Sequence, residues 1–157
     1  ANPFAFEDHY RPAPGVDRWQ VGTPPVLSLA SLHAALEPWS AISMAGVGQK
    51  SVELFDLMAA WFDGPLAGHG FDLITPRQGE ARGSQISLRH RHAWPICQAL
   101  IAEGVVGDFR TPDVLRFGLT PLYLRHVDVW DACERLSQIM ATGRWRLPEF
   151  QAQHRVT

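Results

Sequence analysis

At 157 residues, 46% hydrophobic and 19% charged, the chain is long enough for one domain with a real core and has the balance of an ordinary water-soluble globule. A net charge of −2 with scattered arginines gives no electrostatic case for nucleic acid or an anionic membrane, and no apolar run approaches the roughly 18 residues of a membrane span. The opening Ala-Asn-Pro-Phe-Ala-Phe-Glu-Asp-His-Tyr lacks the basic-then-apolar order of a signal peptide, and Cys97 and Cys133 are expected as free, buried thiols, which suits a reducing cytoplasm.

Residues 1–25 carry no helical or strand period and five prolines (Pro3, Pro12, Pro14, Pro24, Pro25). An unstructured stretch of that length is uncommon at the front of a compact domain, so an extended N-terminal arm lying on a partner, or a segment cut away from something upstream, is expected. Residues 26–157 are expected as a single α+β domain. Pro24-Pro25 opens a helix, since proline suits the first turn; Leu29, Leu32, His33 and Leu36 follow at helical spacing until Pro38. A longer helix is predicted from about Ala41 to Phe62, with Met44, Val47, Ser51, Leu54, Phe55, Met58 and Trp61 on one stripe. Lys50 lies just beside that stripe, where its amine is expected to snorkel to water.

Phe71 to Ile74 reads as a strand, and the alternation of Ser84 to Arg89 as another. Ala93, Ile96, Cys97, Leu100 and Ile101 repeat at helical spacing, with Pro95 in the first turn and Gly104 past the end. Val105 to Phe109 is expected as a strand, Arg110 to Asp113 as a turn, and Val114 to Gly118 as a strand ended before Pro121. The last helix is predicted from about Asp128 to Thr142, facing inward with Val129, Ala132, Cys133, Leu136, Ile139 and Met140. Beyond Gly143 lies a polar tail in which Trp145 and Phe150 are anchors. The order α-α-β-β-α-β-β-α, with short connections, predicts an α+β two-layer sandwich: a small, mostly antiparallel sheet with helices on one face.

No stand-alone catalytic set is visible. There is no glycine-rich phosphate loop, no His-Glu-x-x-His and no Cys-x-x-Cys. His90-Arg91-His92 puts two imidazoles at a strand-to-helix junction without a third ligand nearby, which favours a solvated or capping role over metal. Trp19, Trp39, Trp61 and Trp94 suit core and interface positions better than a stacking platform. The unusual residue is Arg116. In Val114-Leu115-Arg116-Phe117-Gly118, alternation puts Leu115 and Phe117 on one face and Val114, Arg116 and Gly118 on the other. A guanidinium in so apolar a run needs an anionic partner, and its fork matches a carboxylate or phosphate. Two readings stand: an internal pair with an aspartate or glutamate, or a carboxylate-binding arginine with space beside it at Gly118.

Four segments taken in order carry a resemblance. They are Gly22 to Leu29 (Gly-Thr-Pro-Pro-Val-Leu-Ser-Leu), Arg82 to Arg89 (Arg-Gly-Ser-Gln-Ile-Ser-Leu-Arg), Gly104 to Arg110 (Gly-Val-Val-Gly-Asp-Phe-Arg), and Val114 to Tyr123 followed by Val127-Asp128-Val129-Trp130. Together they resemble the C-terminal part of kynureninase, a pyridoxal-phosphate hydrolase of tryptophan catabolism built on the aspartate-aminotransferase-like fold. The likeness covers essentially the whole chain. It implies the small domain of that fold plus its connecting arm, and a homodimer. Arg116 matches the arginine that binds the substrate's α-carboxylate. Thr23 matches the position that hydrogen-bonds the cofactor phosphate from the neighbouring subunit, and Gly22 would line the pocket for the substrate's ring. A hydroxyl at Thr23 also suits a helix cap. Arg89 and Arg110 are expected in structural ion pairs.

The departure is large. Pyridoxal chemistry needs a lysine amine and an aspartate on the pyridine nitrogen, and the resemblance places both upstream, in a large domain. Of 14 basic residues here only Lys50 is a lysine, and it does not match the family's cofactor lysine. The chain alone is therefore expected to be inactive and to carry no covalently bound pyridoxal 5'-phosphate. Two further readings remain: a non-catalytic stand-alone α+β binding or pseudoenzyme domain, and a related aminotransferase-like enzyme, against which the Gly-Thr-Pro-Pro and Arg-Gly-Ser-Gln segments argue.

Overall fold

The structure is a computed structural model that describes residues 8–20 and 22–152; the first residues of the expected arm and the end of the expected tail lie outside them. It divides into two units, Ala1–Ile42 and Ser43–Thr157. In the first, a 3₁₀ turn at Gly15–Trp19 precedes helix α1, Val26–Leu36, which Pro25 opens as expected. A second 3₁₀ turn, Glu37–Ala41, follows where Pro38 cannot continue the α-helical ladder. None of the α1 side chains is buried.

The second unit holds the core. Helix α2 is Met44–Asp63, begun by the Ser43 hydroxyl accepting the Gly46 N–H. Its burial is concentrated in the second half, at Leu54, Phe55, Met58, Ala59 and Phe62, while Met44 stays 64% exposed. Strand β1 is only Asp72–Leu73; strand β2, Gln85–Arg89, buries Ile86 and Leu88 as its alternation predicts but buries Ser87 between them as well, with its N–H donating to the Thr75 hydroxyl. Helix α3 is Ala93–Ala102. It ends with Gly104 at φ +79°, a conformation that favours glycine, while the Val105 N–H donates back to the Leu100 carbonyl. Strand β3 is Asp108–Arg110 and β4 is Val114–Gly118. Helix α4 is His126–Thr142, two residues longer at its start than its apolar pattern suggests. The extra residues are held by Asp128, whose carboxylate accepts from the Arg125 N–H at Oδ2, 2.7 Å, and from the Arg125 guanidinium at Oδ1, 2.7 Å. Those bonds from Arg125 hold the Asp128 carboxyl down at a pKa of about 2.

The sheet runs β1-β2-β4-β3 and every pairing is antiparallel. Ile86 sits opposite Phe117 and Leu88 opposite Leu115. These four form the floor onto which α2, α3 and α4 pack, with Ile96, Leu100, Val129, Cys133, Leu136 and Ile139 filling the space between. The predicted two-layer α+β sandwich, helices on one face, is what forms. The tail adds a 3₁₀ turn at Arg144–Arg146 and helix α5, Pro148–Gln151, which bury Trp145 and Phe150 as anchors. Trp61 and Trp94 are packing residues, edge-on to Trp130 at 5.0 Å and to Phe109 at 5.5 Å. No described helix is long and apolar enough to cross a membrane.

Both thiols are buried and unoxidised, and desolvation pushes Cys97 up to about 11 and Cys133 up to about 12. Neither is expected to react with an aromatic disulfide reagent at pH 8 until the chain is unfolded by denaturant; release of two equivalents from the native chain would contradict this packing.

Candidate functional site

Alternation leaves a polar face on the sheet opposite the helices. Its rows follow from the register. Asp72 lies opposite Arg89, which is opposite Val114 and then Arg110; Ser87 lies opposite Arg116 and then Asp108; Gln85 lies opposite Gly118. Three arginines and two aspartates therefore share one surface, and Asp113 joins them from the turn. Arg89 pairs with Asp72 at 3.3 Å and Asp113 at 3.7 Å, so its end of the face has one cation for two carboxylates. At the other end Asp108 serves two cations. Its Oδ2 accepts from Arg116 Nε at 3.0 Å and from Arg116 Nη2, and lies 3.3 Å from Arg110 Nη2. One unit of positive charge is left over there.

Arg116 thus has the internal acidic partner that burial in a strand demands, and Arg89 and Arg110 are in ion pairs as expected. The guanidinium is nevertheless not sealed. Its side chain is 27% exposed, and among the described residues no hydrogen bond engages Nη1. A Cβ placed on Gly118 would meet nothing within 4 Å, so the space beside Arg116 is open. The opposite holds at Gly107, where a Cβ would come within 3.1 Å of the Phe117 ring and 3.3 Å of the Arg116 carbonyl oxygen. A side chain there would require its neighbours to give by a few tenths of an ångström; glycine allows the close approach of the lead-in to β3, which brings Asp108 alongside Arg116. A cleft of about 530 Å³ opens between Val105, Phe117, Gly118, Tyr123 and α4; Gly118 is in its wall and Arg116 is not.

Gly22 and Thr23 belong to the first unit, and both are exposed. Gly22 offers its carbonyl to the Gln20 side chain at 3.3 Å. The capping alternative for Thr23 is not realised: the cap position of α1 is Pro25, and no side chain caps it.

Three features near the sheet were not legible residue by residue. Lys50 does not snorkel to water. It is half-buried and its Nζ donates to the Pro121 carbonyl at 2.8 Å, while the next residue, Ser51, shares a hydrogen bond of 2.7 Å with Ser84. Two adjacent residues of α2 so fasten the ends of β4 and β2. Arg82 runs beneath the loop with its guanidinium 3.6 Å from the centre of the Phe55 ring, its side chain only 3% exposed.

His90 is the third. It is 5% exposed, so of the solvated and capping roles expected for it the first does not hold, while its bond to the start of α3 is of the second kind. Nδ1 accepts the N–H of His92, the residue that begins α3, at 3.0 Å, so Nε2 carries the proton and donates to the His69 carbonyl at 3.1 Å. Burial, then the nearby cationic charge of His92, Arg91 and His69, lowers its pKa below 6.5 against the opposing bond to His69. A folded-state pKa below the unfolded one means that the unfolded chain binds the proton first. Stability is therefore complete above pH 6.5 and falls as pH drops below it. Urea unfolding at pH 5.0 and 7.5 should show that loss, and H90N should flatten it; an unchanged slope in the variant would assign the effect elsewhere.

Fold and site together define a two-layer α+β domain with an open, arginine-bearing sheet face. A family model described as the kynureninase C-terminal domain matches residues 47–136. The chain is 44% identical over 155 residues to the kynureninases of Burkholderia mallei (strain SAVP1) and Burkholderia pseudomallei (strain K96243), across 99% of this chain and 37% of each relative. It is 40% identical over 154 residues to the kynureninase of Pseudomonas fluorescens, across 98% of this chain and 37% of that relative. The chain belongs to the kynureninase family and corresponds to its C-terminal domain. It spans little more than a third, 37%, of the length of the curated relatives it matches.

Proposed function

We propose that these residues are the C-terminal part of a kynureninase that hydrolyses kynurenine to anthranilate and alanine, with Arg116 binding the substrate's α-carboxylate. The observation that carries this reading is the guanidinium on the polar sheet face: anchored on one edge, unbonded at Nη1 and beside the open space at Gly118. Fixing a carboxylate there orients the rest of the amino acid, and positioning of that kind is worth several kcal/mol of barrier. On this reading the arm of residues 1–25 serves a homodimer, in which Thr23 donates to the cofactor phosphate of the neighbouring subunit and Gly22 borders the substrate's ring. The enzyme acts in the cytoplasm.

Pyridoxal 5'-phosphate, when bound, supplies the electron sink for such a cleavage. Its lysine does not fit this chain. Lys50, the sole lysine, is half-buried and committed to the Pro121 carbonyl, so no step is assigned to it. An upstream large domain supplies the amine and the aspartate, and the chain alone is inactive.

The pairing of Arg116 with Asp108 favours one other reading, a non-catalytic stand-alone binding domain in which the arginine is structural. The two are separated by isolating the protein from its own cells, reading its denatured mass and assaying anthranilate release. Activity in an assembly that carries a lysine-bearing large domain, in the same chain or another, is the expected result. Inactive assemblies of 17.5 kDa chains alone would favour the second reading. Active ones, with borohydride fixing the cofactor to Lys50, would overturn the role given to the large domain.

A further inference from the structure

A guanidinium has two edges that can each receive a carboxylate: the side edge, Nε with Nη2, and the end edge, Nη1 with Nη2. Asp108 occupies the side edge of Arg116, accepting both of its hydrogens at Oδ2. The end edge is left facing open space among the described residues. Asp108 is itself held from behind by Arg110 at 3.3 Å and by its place opposite Arg116 in the strand register. The carboxylate therefore cannot swing round to the end edge without leaving Arg110, and Arg116 cannot turn its end edge away without leaving Asp108.

We infer that Asp108 is a positioning residue for the substrate, one that locks the Arg116 guanidinium with its end edge presented to an α-carboxylate, while Arg110 supplies the positive charge that keeps the site net cationic. This rests on the reading of Arg116 as the carboxylate receptor. It differs from competition, in which Asp108 would be displaced by the substrate. Without Asp108 the cluster gains positive charge and still attracts a carboxylate, but the guanidinium is free to rotate. Capture persists; alignment does not.

The test is D108N in the complete enzyme, measured beside R116Q and D108E with kynurenine, with thermal unfolding recorded for each. D108N is expected to lower kcat about 10- to 100-fold with KM unchanged or reduced, the size expected from a small misplacement of a bound substrate. D108E, which can still reach the side edge, is expected to recover most of that loss. A residue that only held the sheet together would lower the melting temperature and the active fraction equally in both variants and leave pH profile and KM alone. Wild-type kcat in D108N, or an improved kcat/KM showing that Asp108 competes with substrate, overturns the inference while R116Q remains impaired. Wild-type kinetics in R116Q would overturn the carboxylate reading itself, and this inference with it.

Discussion

Arg116→Gln is expected to lower kcat/KM for kynurenine by about 10²–10³-fold in the complete enzyme. A carboxylate held by a charged fork loses both its bidentate geometry and its countercharge when an amide replaces the guanidinium. Hydrogen bonds to charged groups contribute about 1.5–3 kcal/mol each, and about 1.4 kcal/mol corresponds to tenfold, so the loss of two such bonds spans that range. Arg116→Lys keeps the charge without the fork and should fall between. The fold should survive either change, because Arg116 is 27% exposed and Asp108 keeps its contact with Arg110 at 3.3 Å. Steady-state kinetics with matched unfolding curves decide the matter: an unaltered kcat/KM in R116Q would leave Arg116 as a structural ion pair and nothing more.

The largest loss of stability is expected from Phe55→Ala. Phe55 is 1% exposed, on the inner face of α2. Truncating a buried phenylalanine costs about 3–5 kcal/mol through lost transfer energy and the cavity left behind. Here a second loss is added. The Arg82 guanidinium lies 3.6 Å from the ring centre, and its Nε and Nη2 are buried with no hydrogen-bond partner. The nearest carboxylate, Asp56, is 3.8 Å from Nη2 and mostly in solvent. The ring's face is thus the main compensation for a desolvated cation. A melting temperature lower by about 10 °C is expected for the full chain. Phe55→Leu separates the two contributions, since it restores most of the volume and none of the π-face. A loss below about 1 kcal/mol in F55A would mean that the Arg82 loop does not rest on α2.

The sheet and its polarity were legible because alternation is a strict signal. Once Leu115 and Phe117 point inward, Arg116 must point the other way, and the cost of desolvating it requires an acid nearby. The identity of that acid was also within reach. The turn Arg110 to Asp113 fixes the register, and stepping out from the Arg110–Val114 pair arrives at Asp108 opposite Arg116. The strand span obscured it: Val105 to Gly107 look like strand by composition but are consumed in leaving the end of α3, so β3 begins at Asp108. The early start of α4 was missed because arginine is not an expected residue at a cap position, and the group that holds the start is Asp128, already inside the helix, accepting from the Arg125 N–H. Lys50 and His90 were misplaced for a shared reason. Both bond to main-chain groups that are distant in sequence, Pro121 and His69, and no local pattern marks a backbone carbonyl that needs a donor.

The outermost strands are the two shortest. Strand β1 offers two residues and β3 three, and each edge carries charged side chains, Asp72 on one and Asp108 and Arg110 on the other. Another strand arriving at either edge would find too few free N–H and C=O groups to bind, and would have to desolvate those charges to use them. The ion pairs that set the orientation of Arg116 thereby also keep copies of this sheet from joining edge to edge into fibrils.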